Sequence, residues 1–401
     1  MLELLENIVF FPKSLDDLDG LFLPNKKYHV YACRASSEVY EKYPFAYVYE
    51  AVTGKRFFST TKFFRKILST LDLSQVIEKS KGVMAYQAYP WCDDLRNLGY
   101  NVCTINCLLH SALHNKFKQR DLLTNTADKS ANKYLENHFK NRAKDFNTEV
   151  TFYDPKKYSH HSGSNPKGFV VSNSSSDGGS NVFRVLNKDI FNKISTYLSS
   201  PVIRIEKYIH DALPINQVGI VLSNGWIMKF QPSVQLISIN EETGQFEYVG
   251  SMYNLKDYDS HLNDKSILEA TKLTHFVGKS LYTLGYRGIF GCDYLSKRDS
   301  VYFTELNPRY QASTRILSMA ASKERKLSPH MLHICAYQQP EDIDLKTLEP
   351  FKAAEAIITI IENNDAQGYV RVWNSQEKCD RLMVGHTLVE STAHRGYNLL
   401  Y

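Results

Sequence analysis

From Val202 onward the chain alternates apolar and polar residues with little interruption: VIRIEKYI, then QVGIVLSNGWIMKF, VQLISI and FEYVG. A period of two sends successive side chains to opposite faces, so these runs predict an antiparallel sheet, with Asn224-Gly225 as a hairpin turn. The period then changes. From about Lys265 to Leu284, the residues Ile267, Ala270, Leu273, Phe276, Val277, Leu281 and Leu284 recur at near-helical spacing and predict one long helix. Two more strands follow, GIFGCDYL and VYFTEL, joined by the polar turn Ser296 to Ser300. Another helix begins near Ser313.

Residues 1 to about 112 mix short apolar runs with helical stretches. Candidate strands are His29 to Ala32, Ala46 to Val48, Gly82 to Tyr86 and Asn101 to Ile105; candidate helices are Thr61 to Leu71 and Asp93 to Leu98. The step Leu98-Gly99-Tyr100 has the form of a helix C-cap leading into a parallel strand. This part predicts a small α/β domain. Residues 111 to 145 are charged and helical in pattern, and a Ser, Asn and Gly-rich stretch from Ser159 to Ser180 surrounds one apolar strand, Gly168 to Val171. Such a stretch is by default a surface loop. The tail from about 340 holds an apolar helix or strand at Ala353 to Ile361 and a strand candidate at Tyr369 to Trp373.

Composition mainly excludes. The 401 residues, 43% of them hydrophobic, suffice for two or three ordinary domain cores. The 48 Lys and Arg against 43 Asp and Glu leave a net charge of +5 with no dense basic block, so nucleic-acid binding gains no support. The longest apolar run, Ala353 to Ile361, is interrupted by Glu355 and falls short of the roughly 20 residues of a spanning helix, so no membrane span is expected. The start, MLELLENIVFFPKSLDD, carries acids where a secretory signal carries Lys or Arg, which makes the cytoplasm the expected location. None of the seven Cys forms a C-x-x-C pair; Cys103 and Cys107 read as core thiols. His110 with His114, and His330 with His333, have helical spacing but no accompanying Glu or third ligand, so zinc is unsupported. No G-x-S-x-G elbow indicates a serine hydrolase.

The candidate chemistry lies in the hairpin 288 to 309, GIFGCDYLSKRDSVYFTELNPR. Alternation puts Glu305, Asn307 and Arg309 on one face, and a turn near residue 298 places Asp293 across from Phe303 to Glu305. If Asp293 shares that face, two carboxylates and an amide oxygen converge. Such hard oxygen ligands suit Mg2+ or Mn2+, commonly together with nucleotide phosphates. Without a cation the carboxylates repel. Equally compatible with the geometry is a solvated strand face on which Glu305 pairs with Arg309 or Lys297.

The C-terminal half as a whole resembles the ATP-grasp ligase superfamily. In that family an acid ends one strand, an E-x-N-P-R type run ends the next, and a small-residue turn with Ser or Thr enters a helix. Here these read Asp293, then Glu305-Leu306-Asn307-Pro308-Arg309, then Gln311-Ala312-Ser313-Thr314. The resemblance implies that Asp293, Glu305 and Asn307 hold magnesium bridging the ATP phosphates, with Arg309 stabilising the acyl-phosphate or tetrahedral intermediate. Upstream, IRIEKYI resembles the hinge strand that grips adenine, through the Glu206 side chain and the Lys207 and Ile209 backbone, with Tyr208 as an apolar neighbour. Asn115-Lys116 followed by Arg120 and Leu122-Leu123 resembles the start of the lid, whose lysine contacts phosphate. The loop Asn173 to Val182, with Gly178 and Gly179, sits where a Gly-rich lid loop covers the triphosphate.

Two departures bear on nucleotide affinity. The lid strand reads Val170-Val171-Ser172-Asn173, with Ser172 where the family's V-V-K-P setting has a nucleotide-binding lysine. Position 213, where an acid often binds ribose, is Leu, with Asn216 or Gln217 as the uncharged substitutes. Further, ALPINQVGIVLSNGWIMKFQPSVQLI with GYRGIFGCDYL resembles peptide-ligase-like members of the pheganomycin ligase type, which carry a pre-ATP-grasp α/β domain.

The expected architecture is therefore an ATP-grasp fold of α/β and α+β class. It comprises a pre-ATP-grasp domain (1–112), a lid subdomain (113–202), a C-terminal subdomain with the metal hairpin (203–340) and an extension of unassigned role (341–401). The expected function is an ATP- and magnesium-dependent carboxylate-amine ligase for amino acids or peptides. The alternatives are a non-catalytic nucleotide binder, suggested by Ser172, and a ligase with a carrier-protein thiol or a hydroxyl as acceptor. A homodimer, as in many relatives, stays open. Arg287, Tyr310, Gln311 and Arg315, near the motif, read equally as substrate contacts or as structural support.

Overall fold

Four short parallel strands open the chain: β1 (Ile8–Phe11), β2 (His29–Ala32), β3 (Tyr47–Val48) and β4 (Gly82–Ala85), in the order β3-β2-β1-β4. This is seen in a computed structural model that describes residues 5–22, 26–55, 60–71, 73–145, 151–153, 168–174, 181–195, 197–198, 202–253, 262–323, 328–338, 369–374 and 379–384. The central strand β1 is buried along its whole length, because both faces of the sheet are covered. Val9 and Phe11 pack with Phe63, Phe64 and Trp91 on one side; Ile8 and Phe10 pack on the other with Val218, Ile220 and Leu332 from the C-terminal half. The helix expected over Thr61 to Leu71 spans Thr60–Thr70, and that over Asp93 to Leu98 spans Pro90–Asn97. Gly99 (φ +89°) closes the latter, with its N–H donating to the Arg96 carbonyl and that of Tyr100 to Leu95. The strand expected over Asn101 to Ile105 is reduced to a single parallel bridge, Val102 with Val83, because the chain turns into the helix Cys107–His114 a few residues later.

A second sheet, in the order β5-β8-β6-β7, is built from β5 (Thr151–Tyr153), β6 (Phe169–Ser172), β7 (Val182–Val185) and β8 (Ile203–Lys207). Its core holds Val171, Phe183, Phe191, Ile203 and Ile205. Ile203 and Ile205 thus occupy one face of β8, and Arg204 and Glu206 the other.

The largest sheet contains β9 (Leu213–Val221), β10 (Ile227–Lys229), β11 (Ser233–Ile239), β12 (Phe246–Met252), β13 (Gly288–Lys297) and β14 (Ser300–Asn307). It is completed by β15 (Tyr369–Asn374) and β16 (Cys379–Val384), so part of the C-terminal tail continues this sheet. Ala353 to Ile361 lie outside the described residues. The helix Asp264–Thr283 packs across β9 with Ala270, Leu273, Val277 and Leu281, and the same core takes in Leu113, Leu123 and Leu135 from the charged helical segment. No helix among the described residues is long and apolar enough to cross a membrane.

The first and third sheets are tied by buried polar groups. Arg315 donates to Asp19 at 3.1 Å and lies 3.5 Å from Asp16; Asp16 also accepts from Ser14 Oγ and Ser36 N, and Asp19 from Lys42. Burial would raise the Asp19 carboxyl, but Lys42 and Arg315 outweigh it and hold it below the usual value. Arg315→Met leaves two buried acids facing no guanidinium, and should cost about 3–5 kcal/mol. An unchanged urea midpoint would contradict this account.

Candidate functional site

Asp293 on β13 stands directly opposite Glu305 on β14, and a register shift after Asp293 sets Tyr294 against Phe303. Both carboxylates therefore share one sheet face. Asp293 accepts hydrogen bonds from Asn307 Nδ2 at 2.8 Å, Asn216 Nδ2 at 2.6 Å and Gln235 Nε2 at 3.2 Å. Burial, with the Glu305 charge across the strand pair, pushes the Asp293 carboxyl up to about 6; the amides of Asn216 and Asn307 and the Lys116 ammonium act against it. Lys116 Nζ lies 2.8 Å from Glu305 Oε2. Arg309 donates to the hydroxyl of Tyr86 at 3.2 Å and to the carbonyl of Tyr310 at 3.0 Å, and its Nη2 is 3.3 Å from Asn307 Oδ1.

The edge strand β14 is held in place by a side chain the sequence pattern did not single out. Gln119 donates to the Leu306 carbonyl at 2.8 Å and accepts from the Leu306 N–H at 2.9 Å, completing the strand's hydrogen bonds between Glu305 and Asn307 as a neighbouring strand would. Nothing in its local sequence distinguishes Gln119 from the charged residues of its helix. Gln119→Leu strands two buried backbone groups and should cost about 2 kcal/mol, read as a lowered urea midpoint.

Asp293, Glu305, Asn307, Arg309 and Lys116 line a cavity of about 540 Å³ together with Glu206, Lys207, Tyr208 and Ile209, at and just after the end of β8, and with Ser172. Arg204 pairs opposite Ser172 in the β6–β8 ladder and also lines the cavity, so a guanidinium stands beside Ser172, where the resemblance implies a lysine. Period-two alternation with Glu206 was the available signal for it. Burial would raise the Glu206 carboxyl, but Arg204 and Arg120, with a hydrogen bond from Tyr302 at 3.0 Å, hold it below the usual range. Tyr208 stacks on Phe246 with the Arg184 guanidinium 4.2 Å from its ring centroid. Residues 175–180, which include Gly178 and Gly179, lie outside the described residues.

Asn216, one proposed ribose substitute, lines the cavity, where it donates to Asp293 and accepts from Ser313 Oγ. Gln217, the other, is fully buried, donating to the Phe230 carbonyl and Thr271 and accepting from Thr274. Strand alternation turns Gln217 into the core under the helix Asp264–Thr283. Of the four residues near the motif, Gln311 lines the cavity. Tyr310 is buried between Tyr86 and His330, Arg287 stacks over Tyr282, and Arg315 is engaged with Asp16 and Asp19. The cavity is also lined by Lys13, Asp17, Arg34, Tyr86, Gln87 and Tyr89, all from the N-terminal domain.

The donor set fits a hard divalent cation: two facing carboxylates, with an oxygen from Asn307 once its amide is turned, and no thiolate or imidazole. Among the described residues no cluster of three His, Cys, Asp or Glu occurs, so phosphate oxygens and water would complete such a shell.

The sequence matches no protein-family model and no curated protein. Solved structures are similar in fold at low identity. An N5-carboxyaminoimidazole ribonucleotide synthetase in complex with ADP shares 12% identity over 92% of this chain and 81% of its own, with a TM-score of 0.53. The N5-carboxyaminoimidazole synthetase of Staphylococcus aureus with ADP shares 13% over 97% and 95%, at 0.50. The biotin carboxylase domain dimer of the Hydrogenobacter thermophilus 2-oxoglutarate carboxylase, with Mg-ADP, ADP and bicarbonate, shares 11% over 91% and 74%, at 0.51. With the strand order and the carboxylate hairpin already described, these likenesses establish that the chain has the ATP-grasp fold, preceded by an N-terminal α/β domain.

Proposed function

We propose that the protein is an ATP- and magnesium-dependent ligase that joins a small-molecule carboxylate to an amine, releasing ADP and phosphate. The observation that carries this reading is the facing pair Asp293 and Glu305, with Asn307 and Arg309, in one cavity with the hinge strand β8. Two of the similar structures were solved with ADP and a third with Mg-ADP, which supports a nucleotide at the hinge.

In this reading a carboxylate oxygen of the substrate forms a bond to the γ-phosphorus of ATP and ADP leaves. The amine then adds to the acyl phosphate, loses a proton and displaces phosphate. Asp293, Glu305 and Asn307 would hold the magnesium, which would supply positive charge to neutralise the phosphates. Lys116 would exchange Glu305 for a phosphate oxygen. Tyr208, Ile209 and Phe246 form the apolar wall suited to a base, and the Lys207 and Ile209 backbone supplies its hydrogen bonds. The Arg309 guanidinium, oriented by Tyr86, stabilises the anionic acyl phosphate or tetrahedral intermediate. Phosphoryl transfer relies on positioning and charge more than on a protein nucleophile.

A second reading, a nucleotide binder without turnover, rests on Ser172 at the lysine position; Arg204 beside it weighs against that reading. The discriminating experiment measures ADP release from Mg-ATP with pooled amino acids and short peptides, with hydroxylamine as general acceptor. The expected result is ADP together with a hydroxamate. Nucleotide binding with no ADP from any acid would favour the second reading.

A further inference from the structure

The N-terminal wall of the cavity has a feature that nucleotide binding does not use. It is formed where the chain leaves the carboxyl ends of β1, β2 and β4: Lys13 and Asp17 follow β1, Arg34 follows β2, and Tyr86 and Gln87 follow β4. The strand order β3-β2-β1-β4 reverses between β1 and β4, and in open parallel sheets the crevice outside the carboxyl ends at such a reversal is where ligands bind. The local backbone is tightly joined there. Leu15 N donates to the Arg34 carbonyl at 2.9 Å, Ser14 N to the Asp17 carboxylate at 3.1 Å and Tyr86 N to the Phe11 carbonyl at 3.3 Å.

The lining is basic at both ends of the cavity. Beside β8 and the hairpin, Lys116 faces Glu305 and Arg204 faces Glu206. At the N-terminal end Lys13 and Arg34 line the wall with Arg309 and Asp17. Arg309 joins this end through its hydrogen bond to Tyr86. On the reading of the protein as a carboxylate-activating ligase, Arg309 marks where the reacting carboxylate lies, so Lys13 and Arg34 mark a position beyond it.

We infer that this edge of the N-terminal sheet is a subsite for the far end of the acid substrate, and that this end carries a second anionic group, a carboxylate or a phosphate, bound by Lys13 and Arg34. The substrate class is thus a dianionic acid rather than a neutral one.

The test is calorimetric titration of the full chain with succinate, phosphoglycolate and propionate, with and without Mg-AMP-PNP. Succinate or phosphoglycolate should bind at least about tenfold more tightly than propionate, as expected for a charge-assisted contact. Whichever binds better identifies the second group. Lys13→Gln, Arg34→Gln and the conservative Arg34→Lys are compared after circular dichroism has confirmed their fold. The two Gln variants should each lose most of the preference and keep Mg-AMP-PNP affinity and propionate affinity, and Arg34→Lys should retain part of it. Equal binding of the three acids, no binding by any of them, or a preference unchanged in both Gln variants would overturn the inference. A dianion preference without Mg-AMP-PNP binding would instead count against the ligase reading and leave the subsite standing.

Discussion

Glu305→Gln and Asn307→Ala should each lower ATP turnover by roughly 100-fold or more, since loss even of an outer partner of a metal costs 10- to 100-fold. Both variants should keep their fold. Glu305→Gln preserves the shape of the side chain at its cross-strand position, and Asn307→Ala removes one of the three amide donors on Asp293. ADP formation followed in a coupled assay, with circular dichroism and thermal unfolding as controls, checks this. Near-normal turnover in both variants would exclude the hairpin as a catalytic metal site, and with it the proposed ligase.

The second large effect is on stability against pH. Burial holds three imidazoles neutral, with His275 pushed down to about 4, His330 to about 3 and His333 to about 4. His333 shows the structural reason: it accepts from Ile289 N at 3.0 Å, donates to the Cys103 carbonyl at 2.7 Å and packs where a side chain on Gly288 (φ +90°) would clash with it. In the unfolded chain each takes up a proton near pH 6.5, and in the folded chain only well below that. Their contribution is therefore complete above about pH 6.5 and is lost as the pH falls toward 4. At about 1.4 kcal/mol per pH unit, each removes about 2 kcal/mol by pH 5. Asp293 has the opposite sign. Raised to about 6, it returns about 1 kcal/mol between pH 6 and 5. The net expectation is a loss of about 5 kcal/mol between pH 7.5 and pH 5, read from urea midpoints. His333→Gln, which keeps both hydrogen bonds without titrating, should remove about 2 kcal/mol of that dependence. A flat profile would show that the imidazoles are not held neutral.

Legibility followed the number of partners each element has. The helix Asp264–Thr283 buries an apolar stripe at helical spacing, so its period stands out in the sequence, and Asp293, Glu305, Asn307, Arg309, Glu206 and Lys116 stand out by spacing and motif. Strand β1 carries no strand signal in the sequence. Its run IVFF has no alternation because both of its faces are buried, and a short continuous apolar run does not announce a strand. Asn216 and Gln217 are chemically alike, yet adjacent residues of a strand face opposite ways: one reaches the Asp293 carboxylate and the other the core.

Sequence alone determined the local matters: a two-residue period for the sheets, a helical period for Asp264–Thr283, and the order of acid, E-x-N-P-R and hinge that pointed to the ATP-grasp fold. These depend on neighbours within one element or on a short hairpin. Tertiary structure decided what depends on pairs far apart in the chain. It placed Arg204 beside Ser172, clamped β14 with Gln119 across 187 positions, and engaged Arg315 with Asp16 and Asp19 rather than with a substrate. It also brought Lys13, Asp17 and Arg34 to the cavity from the other end of the chain. No pattern within a single element encodes such meetings, because they arise only when hydrophobic burial packs the N-terminal sheet against the large one and carries the polar strand ends along with it.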